Sequence, residues 1–252
     1  MQVDACLRSI ERFAPYTGSV AVLYKASTQD FADGYGAVGA ETSAEFVGES
    51  HDFQGNVLDL IETASEHTVF HTDDDVFFRG PSSVPVLPNE AACLSFRLGL
   101  NTTYSYPVDS PQAIPEFISD NGIIAWDWTR AQHDFAYPLS LDGHVMRTGL
   151  LLRLLSRIRF TNPNELEEEL AMRRYLAPPW MMSSDESSLV SIPLNVVSGT
   201  HLNRAGGDPE MSPEALNARF LAGERIDLDA MDFSAVRGAH QEIPLVFGRS
   251  RS

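Results

Sequence analysis

Three consecutive carboxylates, Asp73, Asp74 and Asp75, follow the β-branched and aromatic run from His67 to Thr72 and lead directly into Val76, Phe77 and Phe78. Adjacent aspartates repel one another and are poor strand formers. A water-facing acidic turn tolerates them, but such a turn is more often flanked by polar residues than by apolar ones. At the carboxyl end of a buried strand, bordering the ligand crevice of an open α/β sheet, the same three groups can hold a hard divalent cation. Magnesium (Mg2+) or manganese (Mn2+) suits these oxygen donors and bridges readily to substrate phosphates. Such an ion would neutralise the charge that develops on a diphosphate leaving group.

Other residues could act beside the triplet. Asp142, in Ser140-Leu141-Asp142-Gly143-His144, is a candidate catalytic carboxylate able to bind donor or acceptor hydroxyls. Gly143 beside it permits close approach of the backbone to a ligand. An ordinary turn between a strand and a helix explains this stretch equally well. Lys25 and Arg97 each end a strand-like run and could contact a diphosphate, Arg97 in bidentate fashion. Trp126, Trp128, Trp180, Tyr104 and Tyr106 offer faces for sugar rings, although most aromatic side chains are core. Asn203-Arg204-Ala205-Gly206-Gly207 reads as a loop able to fold over a donor.

The elements that must position these groups are legible from periodicity. Val3, Cys6, Leu7, Ile10 and Phe13 recur at helical spacing and predict an opening helix. Residues 19–25 read as a buried strand and 26–54 as a long polar connection. A helix from Val57 to Glu66, capped by Asn56, precedes the strand that ends in the triplet. Further strands are expected at 91–98 and 122–128, and further helices at 149–157, 163–174 and 211–222. The leucines and arginines of 150–158 suit either packing on the sheet or a membrane surface, packing being the simpler account. Residues 101–120 read as irregular, and 226–252 as weakly ordered except near 240–246. The alternation argues an α/β fold with a mainly parallel central sheet flanked by helices.

The chain of 252 residues suffices for a single domain, and its formal net charge is −17, from 35 acidic and 18 basic residues. Such a surface repels nucleic acid and anionic lipid, so no nucleic-acid partner is expected. An acidic protein that binds a nucleoside diphosphate needs a cation as mediator. Cys6 and Cys93 have no CxxC spacing and read as buried free thiols of a reducing compartment. No stretch is long and apolar enough to insert stably in a membrane, and residues 1–4 lack the features of a signal peptide, which together predict a cytoplasmic protein.

The sequence around Thr72-Asp73-Asp74-Asp75-Val76-Phe77 resembles glycosyltransferases of the A-type (GT-A) fold, whose DxD-like motif ends a strand. The stretch Ala5-Cys6-Leu7-Arg8-Ser9-Ile10 is similar to that family's first helix. The resemblance spans about the first two thirds of the chain and implies a Rossmann-type sandwich. By position, Asp73 would contact the ribose or a metal, Asp74 would orient the donor sugar and Asp75 would bind the metal. The family's general base commonly opens a helix on the acceptor side, which points to Glu165 first and Glu167 second. In this chain a first helical turn favours glutamate regardless of catalysis. His240 corresponds to a third metal ligand, with His144 and His201 weaker. The family's first strand, before that helix, has no counterpart here. The resemblance implies metal-dependent transfer of a sugar from a nucleoside diphosphate sugar to a hydroxyl acceptor, be it a saccharide, a lipid-linked molecule or a small molecule. Residues 1–98 would form the donor half and 99–252 the acceptor half with a closing segment. A nucleotidyltransferase acting on sugar phosphates, or a non-catalytic sugar- or metal-binding module, are the alternatives.

Overall fold

The computed structural model describes residues 1–14, 18–81, 85–194 and 211–249. His201 and the loop from Asn203 to Gly207 lie outside the described residues. The chain opens in α1 (Gln2–Phe13), whose Ala5, Cys6, Leu7 and Ile10 are buried as their spacing predicts. After β1 (Ala21–Tyr24), the expected long connection instead contains α2 (Gln29–Glu41) and β2 (Glu45–Gly48), which pairs parallel to β1. Glycines disguise α2, and Gly34 has a packing reason, because a Cβ there would sit 2.2 Å from Oδ1 of Asn217. Next come α3 (Phe53–Glu62), capped by Asp52 rather than Asn56, then β3 (His67–Val69), β4 (Asp75–Phe77) and β5 (Ala91–Ser95).

The stretch read as irregular carries β6 (Tyr104–Ser105), β7 (Ser110–Pro111) and β8 (Phe117–Asp120), followed by β9 (Ile123–Asp127). The remainder holds β10 (His144–Arg147), α4 (Thr148–Leu155), α5 (Pro163–Met172), β11 (Trp180–Ser184), β12 (Leu189–Ser191), α6 (Pro213–Leu221), β13 (Glu224–Ile226) and β14 (Phe247–Arg249). The tail is better ordered than its composition suggests, since β14 pairs back onto β13.

The fold is mixed α/β with a central sheet flanked by helices. Its six strands run in the order β3-β10-β5-β11-β9-β8. Only β5 and β11 are parallel neighbours there; every other pairing is antiparallel, which corrects the expectation of a mainly parallel sheet. One cause is local. Asn121 and Gly122 both adopt positive φ, 49° and 78°, and fold β8 tightly back on β9. Asn-Gly is the residue pair such a hairpin turn demands.

Both faces of the sheet are covered, and alternate residues of one strand serve opposite cores. Cys93, Trp126, Met146 and Met181 face one side, against Phe53 and Val57 of α3, Leu150, Leu151, Leu154 and Leu155 of α4, and Leu166 and Leu170 of α5. Leu94 and Val145 face the other side, against Cys6 and Ile10 of α1 and Phe77 of β4. The leucines of α4 are therefore core, as the packing account predicts. A third cluster joins α1, α2 and α6 through Leu7, Val38, Leu216 and Phe220. No helix among the described residues is long and apolar enough to cross a membrane.

Helix α1 is fastened to the site-bearing strand by one hydroxyl. Ser9 Oγ accepts a 3.0 Å hydrogen bond from the backbone N–H of Phe77 and donates to Cys6 O at 2.7 Å, and Ser9 is fully buried. Replacing it leaves that amide buried without its acceptor. Ser9→Ala is expected to cost about 1–3 kcal/mol, read as a lower urea midpoint at unchanged slope. Ser119→Ala, on exposed β8, should stay within about 0.5 kcal/mol; equal midpoints for the two variants would refute the assignment.

Candidate functional site

The triplet sits where β3 hands over to β4, at a turn closed by a 3.2 Å hydrogen bond from Asp75 N–H to Thr72 O. β4 pairs antiparallel with β12, which brings Ser191 opposite Asp75. The three carboxylates have three different surroundings. Asp75 is completely buried; its Oδ1 accepts from Ser191 Oγ at 2.6 Å, and its Oδ2 lies 3.1 Å from His71 Nδ1. Both of its oxygens are thus occupied. Asp74 is half-buried and Asp73 is exposed. Burial by surrounding protein raises the Asp73 carboxyl and the charge of Asp75 adds to it, while the Met1 amino group and a backbone hydrogen bond oppose the shift.

Thr72 joins the triplet to the second acidic candidate. Its Oγ1 lies 2.7 Å from Asp74 Oδ1 and 3.1 Å from Asp142 Oδ1. A threonine hydroxyl has one proton to donate, so it serves one of the two carboxyl groups fully or is shared between them. Burial, then the charges of Asp75, Asp73 and Asp142, push the Asp74 carboxyl up to about 8. Burial also works against the charged form of Asp142, yet Arg97, His240 and Thr72 together outweigh it and hold that carboxyl well below the usual range. The surroundings thus favour the charged form of Asp142 and the protonated form of Asp74, the Thr72 hydrogen bond opposing the latter.

Arg97 follows β5 and is only 2% exposed. Its Nη1 donates to Asp142 Oδ2 at 2.7 Å and its Nη2 to Ser140 Oγ at 2.9 Å, while its Nε finds no partner. Burial opposes its charge, but Asp142, Asp134 and Asp75 raise its pKa further. His240 Nε2 lies 3.6 Å from Asp142 Oδ2 and 3.4 Å from Arg97 Nη1, with its Nδ1 buried and unpartnered. The ring is placed by backbone bonds on either side of Ser191, whose N–H donates to Ala239 O and whose carbonyl accepts from Gln241 N–H, each at 3.0 Å. Burial works against His240's proton, but Asp142 raises its pKa on balance. Glu167 reaches the same cluster from α5: Ser140 Oγ lies 3.5 Å from its Oε1. Burial and the charge of Asp142 raise its carboxyl.

The structure thus gathers Asp74, Asp142, Arg97, His240 and Glu167, and sets other expected residues apart. Glu165 is exposed and belongs to a capping box: it accepts from Thr161 N–H at 2.7 Å, while Asn162 Oδ1 accepts from Glu165 N–H at 3.0 Å. It stabilises a helix end, and its hydrogen bonds are to Thr161 and Asn162 rather than to the cluster. Lys25 is exposed and paired with Glu49 at 2.9 Å. The expected metal trio of Asp73, Asp75 and His240 is not assembled: Asp75 spends both oxygens on the fold and His240 turns its Nε2 to Asp142. Among the described residues no group of three or more His, Cys, Asp or Glu is arranged to hold a metal ion. His144 is fully buried beside Cys93, with burial and Arg97 lowering its pKa to about 3, so it is a neutral core residue. Trp126 and Trp128 are core as well, their indole N–H groups donating to Phe135 O and Pro178 O. Tyr106 is buried with its hydroxyl on Glu242, while Tyr104 and Trp180 remain half-buried.

Sequence reasoning missed Thr72, Ser191 and an aromatic group at the end of β1. Tyr24 and Tyr35 have ring centroids 4.4 Å apart, and Tyr24 meets Phe46 at 6.0 Å. Both rings are half-buried; burial is the main cause that raises the Tyr35 phenol, and the charge of Asp73 adds to it. Tyr24 ends a strand and Tyr35 lies within the unrecognised α2, so their meeting had no local signal.

Two consequences are measurable. Asp75→Ala deprives Ser191 and His71 of their acceptor and is expected to lower stability by about 3 kcal/mol, seen in urea unfolding; an unchanged midpoint would show that these bonds contribute nothing. Asp74, with its folded pKa raised above its unfolded value of 3.8, contributes stability below that value which is lost as pH rises through about 8. In EDTA, Asp74→Asn should therefore flatten the decline of stability between those pH values, and a parallel decline in both proteins would sink the assignment.

No protein-family model matches the chain, and no curated protein matches it. Among solved structures, one described as the crystal structure of apo UDP-glucose pyrophosphorylase is similar at 12% sequence identity and a TM-score of 0.40, covering 88% of this chain and 87% of that one. A likeness that distant assigns neither family nor activity.

Proposed function

We propose that this chain transfers a sugar from a nucleoside diphosphate sugar to a hydroxyl acceptor. The observation that carries the reading is the Thr72 bridge, which sets the acidic turn at the end of β3 against Asp142, Arg97, His240 and Glu167. In this reading Tyr24 and Tyr35 offer aromatic faces to the nucleobase. The diphosphate lies over the acidic turn, and Asp142, kept ionised by Arg97, accepts hydrogen bonds from sugar hydroxyls.

An acidic turn needs a cation to receive a diphosphate. Asp73 and Asp74 fit that need better than the expected trio, because Asp73 is exposed and Asp74 commits only Oδ1, to Thr72. Magnesium or manganese is commonly held by one or two carboxylates, with phosphate oxygens and water completing the shell, so a cluster of three protein ligands is not required. Bound there, the ion would neutralise charge on the departing diphosphate.

In this reading Glu167, whose Oε1 lies 3.5 Å from Ser140 Oγ, takes the acceptor's proton. As the acceptor oxygen forms its bond to the anomeric carbon, the bond from that carbon to the diphosphate breaks, and the proton passes to Glu167. Its raised pKa makes it a stronger base than an exposed glutamate. Transfer by this route inverts the anomeric configuration.

A donor screen with uridine, guanosine and thymidine diphosphate sugars, with and without manganese, tests the reading. Metal-dependent turnover is expected with one donor; none with any donor would overturn it. Release of pyrophosphate from a nucleoside triphosphate and a sugar phosphate would favour a nucleotidyltransferase instead. Because Glu167 must be deprotonated to act, kcat/KM should rise with pH along a limb lying above the ordinary glutamate value of 4.5. Glu167→Gln should lower kcat by about 10²–10⁴-fold and remove that limb, whereas Glu165→Gln should leave kcat within about twofold. The reverse pattern would return the base to Glu165.

A further inference from the structure

Far from the triplet, a cleft of about 660 Å³ opens where the start of α4 meets the segments before β3, β5 and β11. Glu66, Asn89, Arg147, Thr148, Arg153 and Leu176 are among its lining. It lies at the opposite end of β10 from Asp142, roughly 16 Å away at the rise of an extended strand. Residues 147–159 carry four arginines and no acidic residue, in a chain whose net charge is −17.

The two arginines of the cleft keep their charge unneutralised. Arg147 donates from Nη1 to Pro88 O and, at 3.0 Å, from Nη2 to Asn89 O. Carbonyl acceptors fix the guanidinium without cancelling its charge. Arg153 is exposed and folds back along its helix, its Nη1 lying 3.8 Å from where a Cβ on Gly149 would stand. The two like charges are close enough that Arg153, after burial, is the next cause lowering the pKa of Arg147. Glu66 lines the cleft and Glu90 acts on Arg147 from nearby. Neither forms an ion pair with Arg147 or Arg153, and among the described residues no other carboxylate does. In so acidic a protein, two adjacent guanidiniums without a carboxylate partner leave a position that an anion would stabilise.

We propose that this cleft is a second binding site, selective for a phosphate monoester carrying an organic group. The forked donors of arginine match phosphate oxygens. The volume exceeds that of bare phosphate, and Leu176, 41% exposed, gives the rim an apolar lip for the rest of the ligand. A free phosphorylated metabolite and the headgroup of phosphatidic acid share this chemistry.

The test has two arms, both with EDTA present, and it does not depend on the transferase reading. Calorimetry in phosphate-free buffer measures glycerol 3-phosphate binding, and co-sedimentation measures recovery on phosphatidylcholine vesicles with and without phosphatidic acid. Saturable binding is expected in at least one arm, weakened at least tenfold by Arg153→Glu and by the milder Arg153→Gln. Arg157→Gln, an exposed control outside the cleft, should leave it unchanged. Thermal midpoints confirm that the variants fold, since Arg153 is exposed. Binding in the soluble arm assigns a free phosphate ester, and binding only to phosphatidic acid vesicles assigns the lipid. No binding in either arm, binding indifferent to Arg153, or an equal loss with Arg157→Gln would each overturn the proposal.

Discussion

A guanidinium removed from water loses several kcal/mol of hydration unless a carboxylate and further acceptors replace it. Arg97 meets that requirement through Asp142 and Ser140, and the surrounding segments are arranged to make it possible. The turn that carries Asp142 must lie against the sheet rather than out in solvent. It does so because Gly143 N–H donates to Phe70 O at 2.8 Å while Gly143 O accepts from Phe96 N–H at 3.0 Å, fixing the turn between the ends of β3 and β5. Gly143 adopts a φ of 62°, and a Cβ there would lie 3.2 Å from Leu189. Only glycine takes that conformation without strain. Once the pair is in place, Thr72, His240 and Glu167 have a buried charge to organise around.

The same economy resolves the repulsion within the triplet. Three adjacent carboxylates crowded together repel one another, and the turn that holds Asp73 and Asp74 separates them from Asp75, which begins β4. Asp75 goes inward and is absorbed by Ser191 and His71, so it serves the junction of β4 with β12. Asp74 turns to the Thr72 bridge and Asp73 stays in water. Residues that look equivalent in the sequence thereby have different surroundings. Ser191 links the two tasks, its side chain on Asp75 and its backbone on the segment that presents His240.

Where local pattern sufficed, the sequence was a good guide. The periodic spacing in α1 and the leucines of α4 announced a buried face, and Asn162 three residues before Glu165 matched the capping pattern that the structure shows. In that pattern Glu165 accepts from Thr161 at the start of α5. Glu167, two positions on, is rotated by about 200° around the helix axis. It therefore faces a different part of the molecule, although both glutamates seemed comparable in one dimension. Helix α2 escaped notice because Gly34, required by the close approach of Asn217 from α6, looks like a helix breaker when its partner is unknown. The Asn121-Gly122 hairpin was legible in principle, and with it one of the antiparallel pairings that the alternation of elements concealed.

The sequence by itself determined the α/β character, the approximate place of most helices and strands and a short list of candidate side chains, although β1 and β3, read as buried strands, are only partly buried and β3 ends at Val69, short of the triplet. These depend on residue type and on spacing within one element, which any stretch of chain reports locally. Tertiary structure alone decided which of those side chains meet. Thr72 with Asp142, Arg97 with Asp142 and His240, and Asp75 with Ser191 are separated by 45 to 143 positions in the chain. A carboxyl's protonation and a histidine's orientation follow from such neighbours, through burial and charge, so the electrostatics of the cluster exist only once the sheet has brought them together.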